Sequence, residues 1–218
     1  MKLLLYSFII THGYSDVLYF NNIWYNTLCY ILTIFNIRLL YNLYPALCIF
    51  ATLFMSIIHF SYDFDYVVNN SNYIYAVFLG LLYTKDQMIY WLYILTYTNI
   101  EIKYLKNIIT SIRYICMINS ILFFINNTII SSIDYILIII MSQLLNPLST
   151  IILYLGVVHT PLAISRLPYT PNLNIFNIYL ILMFVHIVVL IVGKDLIKKN
   201  IPIIVSILNT HILFHLIR

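Results

Sequence analysis

Long apolar runs follow one another along the chain, separated by short polar breaks. The runs cover residues 3–20, 23–40, 43–60, 73–83, 88–100, 108–124, 133–145, 148–164, 175–192 and 201–217. Stretches such as 136–141 and 187–192 are continuously apolar, which marks helices rather than the alternating strands of a membrane barrel. A crossing of the hydrocarbon layer takes roughly 20 apolar residues, and its backbone groups must be satisfied internally. The pattern therefore predicts an all-α, polytopic transmembrane helical bundle of about seven to ten helices, the range reflecting several runs that are short for a crossing. The main polar breaks are 61–72, Lys85-Asp86, and 165–172 with Arg166, Pro168 and Pro171. No Pro/Ser/Gly-rich linker and no internal repeat divides the chain, so residues 1–218 read as a single membrane-embedded helical domain.

Composition strengthens this reading. The hydrophobic fraction is 63%, the charged fraction 8% and the mean hydropathy +0.96. A water-soluble domain of this size needs more charge to cover its surface, so the expected location is integral to a membrane, multi-pass. Eleven Lys and Arg stand against seven acids, but they are scattered and form no face that could meet phosphates, which argues against a nucleic-acid partner. The densest basic group, Lys194, Lys198 and Lys199, reads as a loop anchoring a helix end on the cytoplasmic side. Lys2 followed by the apolar residues 3–10 resembles a short signal peptide. Residues 11–16 carry no clear small-x-small cleavage site, so the segment reads as a retained first helix. Cys29, Cys48 and Cys116 lie in apolar stretches without metal-like spacing and read as packing residues.

Six histidines change the picture: His12, His59, His159, His186, His211 and His215. All fall within or at the ends of the expected spans, where ionisable side chains are costly and face a partner or a cavity. His12 is followed four residues later by Asp16, and His59 by Asp63. On a helix these pairs share a face, and a carboxylate there can accept the free ring N–H of a metal-bound imidazole and fix its tautomer. Asp63 and Asp65 also read as members of the polar break after the third helix, and that alternative stays open. His159 stands two residues before Pro161, which should kink or end the helix and free a carbonyl. His211 and His215 are one turn apart on the last helix. His186 has no polar neighbour and reads as structural. Imidazoles without thiolates suit iron, zinc or copper.

Four short motifs resemble those of the Brp/Blh-type β-carotene 15,15'-dioxygenases. Thr11-His12-Gly13-Tyr14-Ser15-Asp16 is similar to the family's His-Gly-x-x-Asp, and Ser56-Ile57-Ile58-His59-Phe60-Ser61 to its Ser-x-x-His-Phe-Gly. His159-Thr160-Pro161-Leu162 falls where the family carries a later histidine motif, and Thr210-His211-Ile212-Leu213 resembles its Pro-His-Met-Leu. The order is the family's, and the four cover nearly the whole chain. The resemblance implies a membrane-embedded, non-haem Fe(II) enzyme that cleaves the central double bond of β-carotene with O2 to give retinal. It implies His12, His59, His159 and His211 as metal ligands, with Asp16 and Asp63 behind them and His215 as a further candidate. The chain departs from the family at Ala163, where a second histidine is usual, at Ser61 in place of Gly, and at Asn209-Thr210. β-Carotene and membrane lipid are then the expected partners, and a retinal-binding rhodopsin is a natural consumer of the product.

Two other classes use the same residues. A haem-binding subunit would ligate through facing histidine pairs. A transport or structural subunit would relay protons through the histidines, Asp16, Asp86 and Asp134. A rhodopsin is disfavoured, because the last helix lacks the lysine that a retinal Schiff base needs.

Overall fold

The computed structural model describes residues 23–83, 86, 100–166, 191 and 201–217. Among them the regular elements are helices, with no strand. They are α1 (Ile23–Leu43), α2 (Pro45–Val68), α3 (Tyr73–Tyr83), α4 (Ile102–Asn126), α5 (Ile129–Leu144) and α6 (Pro147–Tyr154), then a π-helical turn (Leu155–His159), α7 (Thr160–Ser165) and α8 (Ile201–Ile217). Among the described residues α2 and α4 are each long and apolar enough to cross a bilayer, and the count rises to three if the bent pair of α5 and the helix after it is one span. The expected runs 3–20 and 175–192 and nearly all of 88–100 lie outside the described residues, as do Lys194, Lys198 and Lys199.

The chain divides into two compact units, Tyr44–Thr150, and Met1–Leu43 with Ile151–Arg218. In the first unit α2 opens with Pro45 in its first turn, where a missing N–H costs nothing. It closes at Asn69, whose φ of 53° is left-handed, a conformation Asn tolerates better than other side chains. The Asn70 side-chain oxygen then accepts the Asn72 N–H at 3.0 Å and shapes the turn into α3. The expected break at 61–72 is corrected by this: the helix runs on to Val68, and the turn is confined to its last few residues. Ser61, Asp63 and Asp65 are polar, but none of them breaks a helix. A second correction concerns α4, which begins at Ile102 rather than 108, because Lys103 and Lys106 sit exposed in its first turns. α5 likewise starts at Ile129, four residues ahead of the run at 133, and carries Asp134 on its exposed side.

α3 packs against α2, α4 and α5. One face of α4, with Leu105, Ile109, Ile112 and Cys116 fully buried, forms part of that core. Beyond it Tyr73, Ala76, Phe123 and Tyr135 form a cluster in which the Phe123 and Tyr135 rings stack at 4.3 Å. Ser120 Oγ donates to the Cys116 carbonyl at 2.8 Å and lies 2.9 Å from the Tyr135 hydroxyl, so the phenol is the donor in that second bond. α5 inverts the pattern of a water-soluble helix. Its buried positions, Tyr135 and Ser142, carry hydroxyls, while Ile129, Ile130 and Leu144 are 73–80% exposed. That arrangement suits a lipid surround, where small and hydroxyl-bearing residues make the helix contacts. Tyr135→Phe is expected to destabilise the unit by only about 1 kcal/mol, because Ser120 keeps its bond to Cys116 and no orphaned group is left. Denaturant unfolding in detergent measures the shift.

In the second unit α1 packs against α8. The Tyr30 ring meets Phe214 edge-on at 5.2 Å, and its hydroxyl lies 3.5 Å from the Ile207 carbonyl. The helix that begins at Pro147 continues to Ser165. Pro161 does not end it. The backbone widens into a π turn just upstream, and the Thr160 N–H reaches back five residues to the Leu155 carbonyl. A wider turn relieves the clash of the proline ring with the carbonyl one α-turn behind it.

Candidate metal centre

α8 is an apolar helix with a polar insert. Ser206, Asn209, Thr210 and His211 are all buried, the last at 2% exposure. Thr210 Oγ1 donates to the Ser206 carbonyl at 2.8 Å, so its polarity is absorbed within the helix. His159, also 2% exposed, closes the π turn. Its ring stacks on Tyr154 at 6.0 Å and meets the His211 ring edge to face at 6.1 Å. Two imidazoles separated by 52 residues in sequence thus lie side by side in one unit.

In the other unit His59 and Asp63 lie one turn apart on the inner face of α2, each 3% exposed. Because α2 continues to Val68, Asp63 is a buried helical residue and not part of a solvated loop. Within the unit that holds them both, a ligand nitrogen of His159 lies within 4.8 Å of one of His211. A metal ion with metal–nitrogen bonds near 2.1 Å holds neighbouring nitrogens roughly 3–3.5 Å apart, a distance these rings reach by small rotations. The donor set is all imidazole. Cys116 is buried elsewhere, in the α4 core, and Cys29 and Cys48 are only half-buried. The buried pair His159 and His211 is therefore compatible with a bound metal ion, and a borderline cation such as iron, zinc or copper fits the donors.

Of the other residues singled out from sequence, His12, Asp16 and His186 lie outside the described residues, and of His215 only the backbone, in α8, is described. Ala163 is 3% exposed and sits one turn beyond His159. The structure adds polar residues that sequence reasoning did not single out. Thr160, Ser206, Asn209 and Thr210 are buried in the two helices that carry His159 and His211. The signal for the last three was present as polar side chains spaced three and four apart just ahead of His211 in an apolar helix.

Comparison with known proteins finds no matching family model, no matching curated protein and no matching solved structure.

Proposed function

We propose that the chain is a multi-pass integral membrane enzyme that cleaves the central double bond of β-carotene with O2, giving two molecules of retinal, at Fe(II) held by histidines. The observation that carries this reading is the pairing of two buried imidazoles in one unit, His159 against His211, with ligand nitrogens within 4.8 Å. The four motifs that resemble the carotenoid-cleaving family support it, since two of them supply these histidines and the other two carry His12 and His59. His12 and His59 complete the proposed ligand set.

In the balanced reaction one C=C bond breaks and two C=O bonds form, each aldehyde taking one atom of O2. Fe(II), when bound, supplies the one-electron chemistry that lets O2 react with a closed-shell polyene. The chain's own residues hold and place it. His159 is fixed by the π turn and the Tyr154 ring, His211 by α8, and His59 by the buried face of α2. Burial of all three excludes water, which protects the reaction from side products. Asp63, one turn beyond His59, is positioned to steady that imidazole. An apolar polyene partitions into the bilayer, so a site buried among membrane helices meets its substrate without passage through water. A haem reading is less well supported, because a planar porphyrin needs two histidines on opposite sides of a wide slot.

The test is expression in cells engineered to accumulate β-carotene, followed by pigment extraction. The expected result is loss of carotene and appearance of retinal, with iron co-purifying. Unchanged carotene beside a well-expressed, membrane-inserted protein overturns the reading and moves the weight to transport or haem binding.

A further inference from the structure

Several helix hydroxyls of this protein share one habit. Thr33, Thr52, Ser56, Ser120, Ser142 and Thr210 each donate to the carbonyl four residues back, at 2.6–2.8 Å. Back-bonding of this kind satisfies a hydroxyl in apolar surroundings without help from a neighbour. Thr160 departs from it. The residue is 0% exposed, and its Oγ1 has no hydrogen-bond partner among the described residues.

The cause is local. Across the π turn the Thr160 N–H bonds to Leu155, five residues back, so the preceding carbonyls are not where an α-helical hydroxyl finds its acceptor. Pro161, the next residue, has no N–H, so the backbone ladder lacks one donor at the same place. A buried hydroxyl left unsatisfied is costly, and such a group in a native structure calls for a ligand, a water or a functional role. A buried water is held by two to four polar partners. The turn that carries His159 offers two: the Thr160 hydroxyl and the imidazole.

We propose that Thr160 Oγ1 is the hydrogen-bonding arm of a binding site for a water-sized oxygen ligand in the turn that carries His159. The ligand's use rests on the metal reading above, and the site itself does not. In the metal-free protein the occupant is a water. When a metal is held by the histidines, the Thr160 hydroxyl donates to the small ligand beside it and sets its orientation, which makes Thr160 a positioning residue.

The test uses the full chain purified in detergent, with Thr160→Val and Thr160→Ser. Valine has the same shape and lacks the hydroxyl. In thermal unfolding of the metal-free protein, Thr160→Val is expected to melt below wild type and Thr160→Ser close to it. Removing a hydroxyl that served nothing relieves a desolvation cost, so a valine variant that melts at or above wild type overturns the proposal. The second arm loads Co(II) and titrates azide, which accepts a hydrogen bond as an oxygen ligand does, following the visible absorption. Thr160→Val is expected to bind azide about ten-fold more weakly, with serine restoring it. Unchanged azide affinity in the valine variant also overturns the proposal. A wild-type protein that takes up no Co(II) sinks the metal reading instead and leaves the decision to the melting arm.

Discussion

Alanine at His59, His159 or His211 is expected to abolish metal retention, each single change lowering affinity by roughly 100-fold or more. Loss of an outer hydrogen-bond partner of a ligand already costs about 10–100-fold, and loss of the ligand itself exceeds that. All three side chains are buried, and His159 and His211 lie close enough to serve one ion; in the proposed ligand set, losing any one member leaves an incomplete shell in a place that water cannot easily complete. The measurement is metal content after dialysis against a chelator, together with the melting shift on adding Fe(II) or Zn(II). Wild type gains stability as the ion binds the folded state, by about 2.7 kcal/mol when free metal is 100 times the dissociation constant. The three variants gain nothing. If the histidines are instead plain packing and hydrogen-bonding groups, each alanine lowers the metal-free stability, and wild type and variants respond to metal alike.

Gly80→Val is expected to prevent the Tyr44–Thr150 unit from packing. A Cβ at Gly80 would stand 2.5 Å from Ser142 Cβ and 2.7 Å from the Ile139 carbonyl oxygen. Neither atom lies at the end of a flexible side chain, so α3 and α5 themselves must separate. Alanine here gains up to about 1 kcal/mol in helix propensity and loses more than that in overpacking, which typically costs about 1–3 kcal/mol. Valine adds two more methyl groups to the same contact and brings the loss to roughly 3 kcal/mol or beyond. The check is the unfolding midpoint and the yield of monodisperse protein in detergent. Ser142→Gly should recover part of the stability of Gly80→Ala, because it removes the nearer of the two clashing atoms. An unimpaired Gly80→Val would show that the two helices do not approach as closely as described.

The all-helical class was plain in the sequence, because continuous apolar runs leave the backbone no other way to satisfy itself in hydrocarbon. Helix ends were less legible. The run around His59 looked finished at Phe60 because Ser61, Asp63 and Asp65 are polar. A helix, however, stops where its backbone is turned aside, and that happens at Asn69. Lys103 and Lys106 hid the start of α4 for the converse reason: charge is tolerated in an exposed first turn. At the candidate site, sequence order and a resemblance to known motifs nominated the histidines. The proximity of His159 and His211 is a product of tertiary packing that no spacing encodes. Pro161 signalled an irregularity but not its form, since a proline inside a helix can end it, kink it or widen it. Thr160 was invisible beforehand. Nothing in a residue's type says that its hydroxyl will fail to find the carbonyl that Thr33, Thr52 and Thr210 find.

The widened turn at Leu155–His159 also separates the helical phase on its two sides. A π turn holds one residue more than the α turn it replaces, and one residue corresponds to about 100° of rotation at 3.6 residues per turn. α6 and α7 therefore form one rod whose two halves are wound independently, and a helical wheel drawn straight through both assigns the later residues to the wrong side. Shortening the segment by a single position would restore an ordinary α-helix and swing the imidazole of His159 about 100° around the axis relative to α6. Chain length at this point, and not only the identity of the residues, thus belongs to the specification of the site.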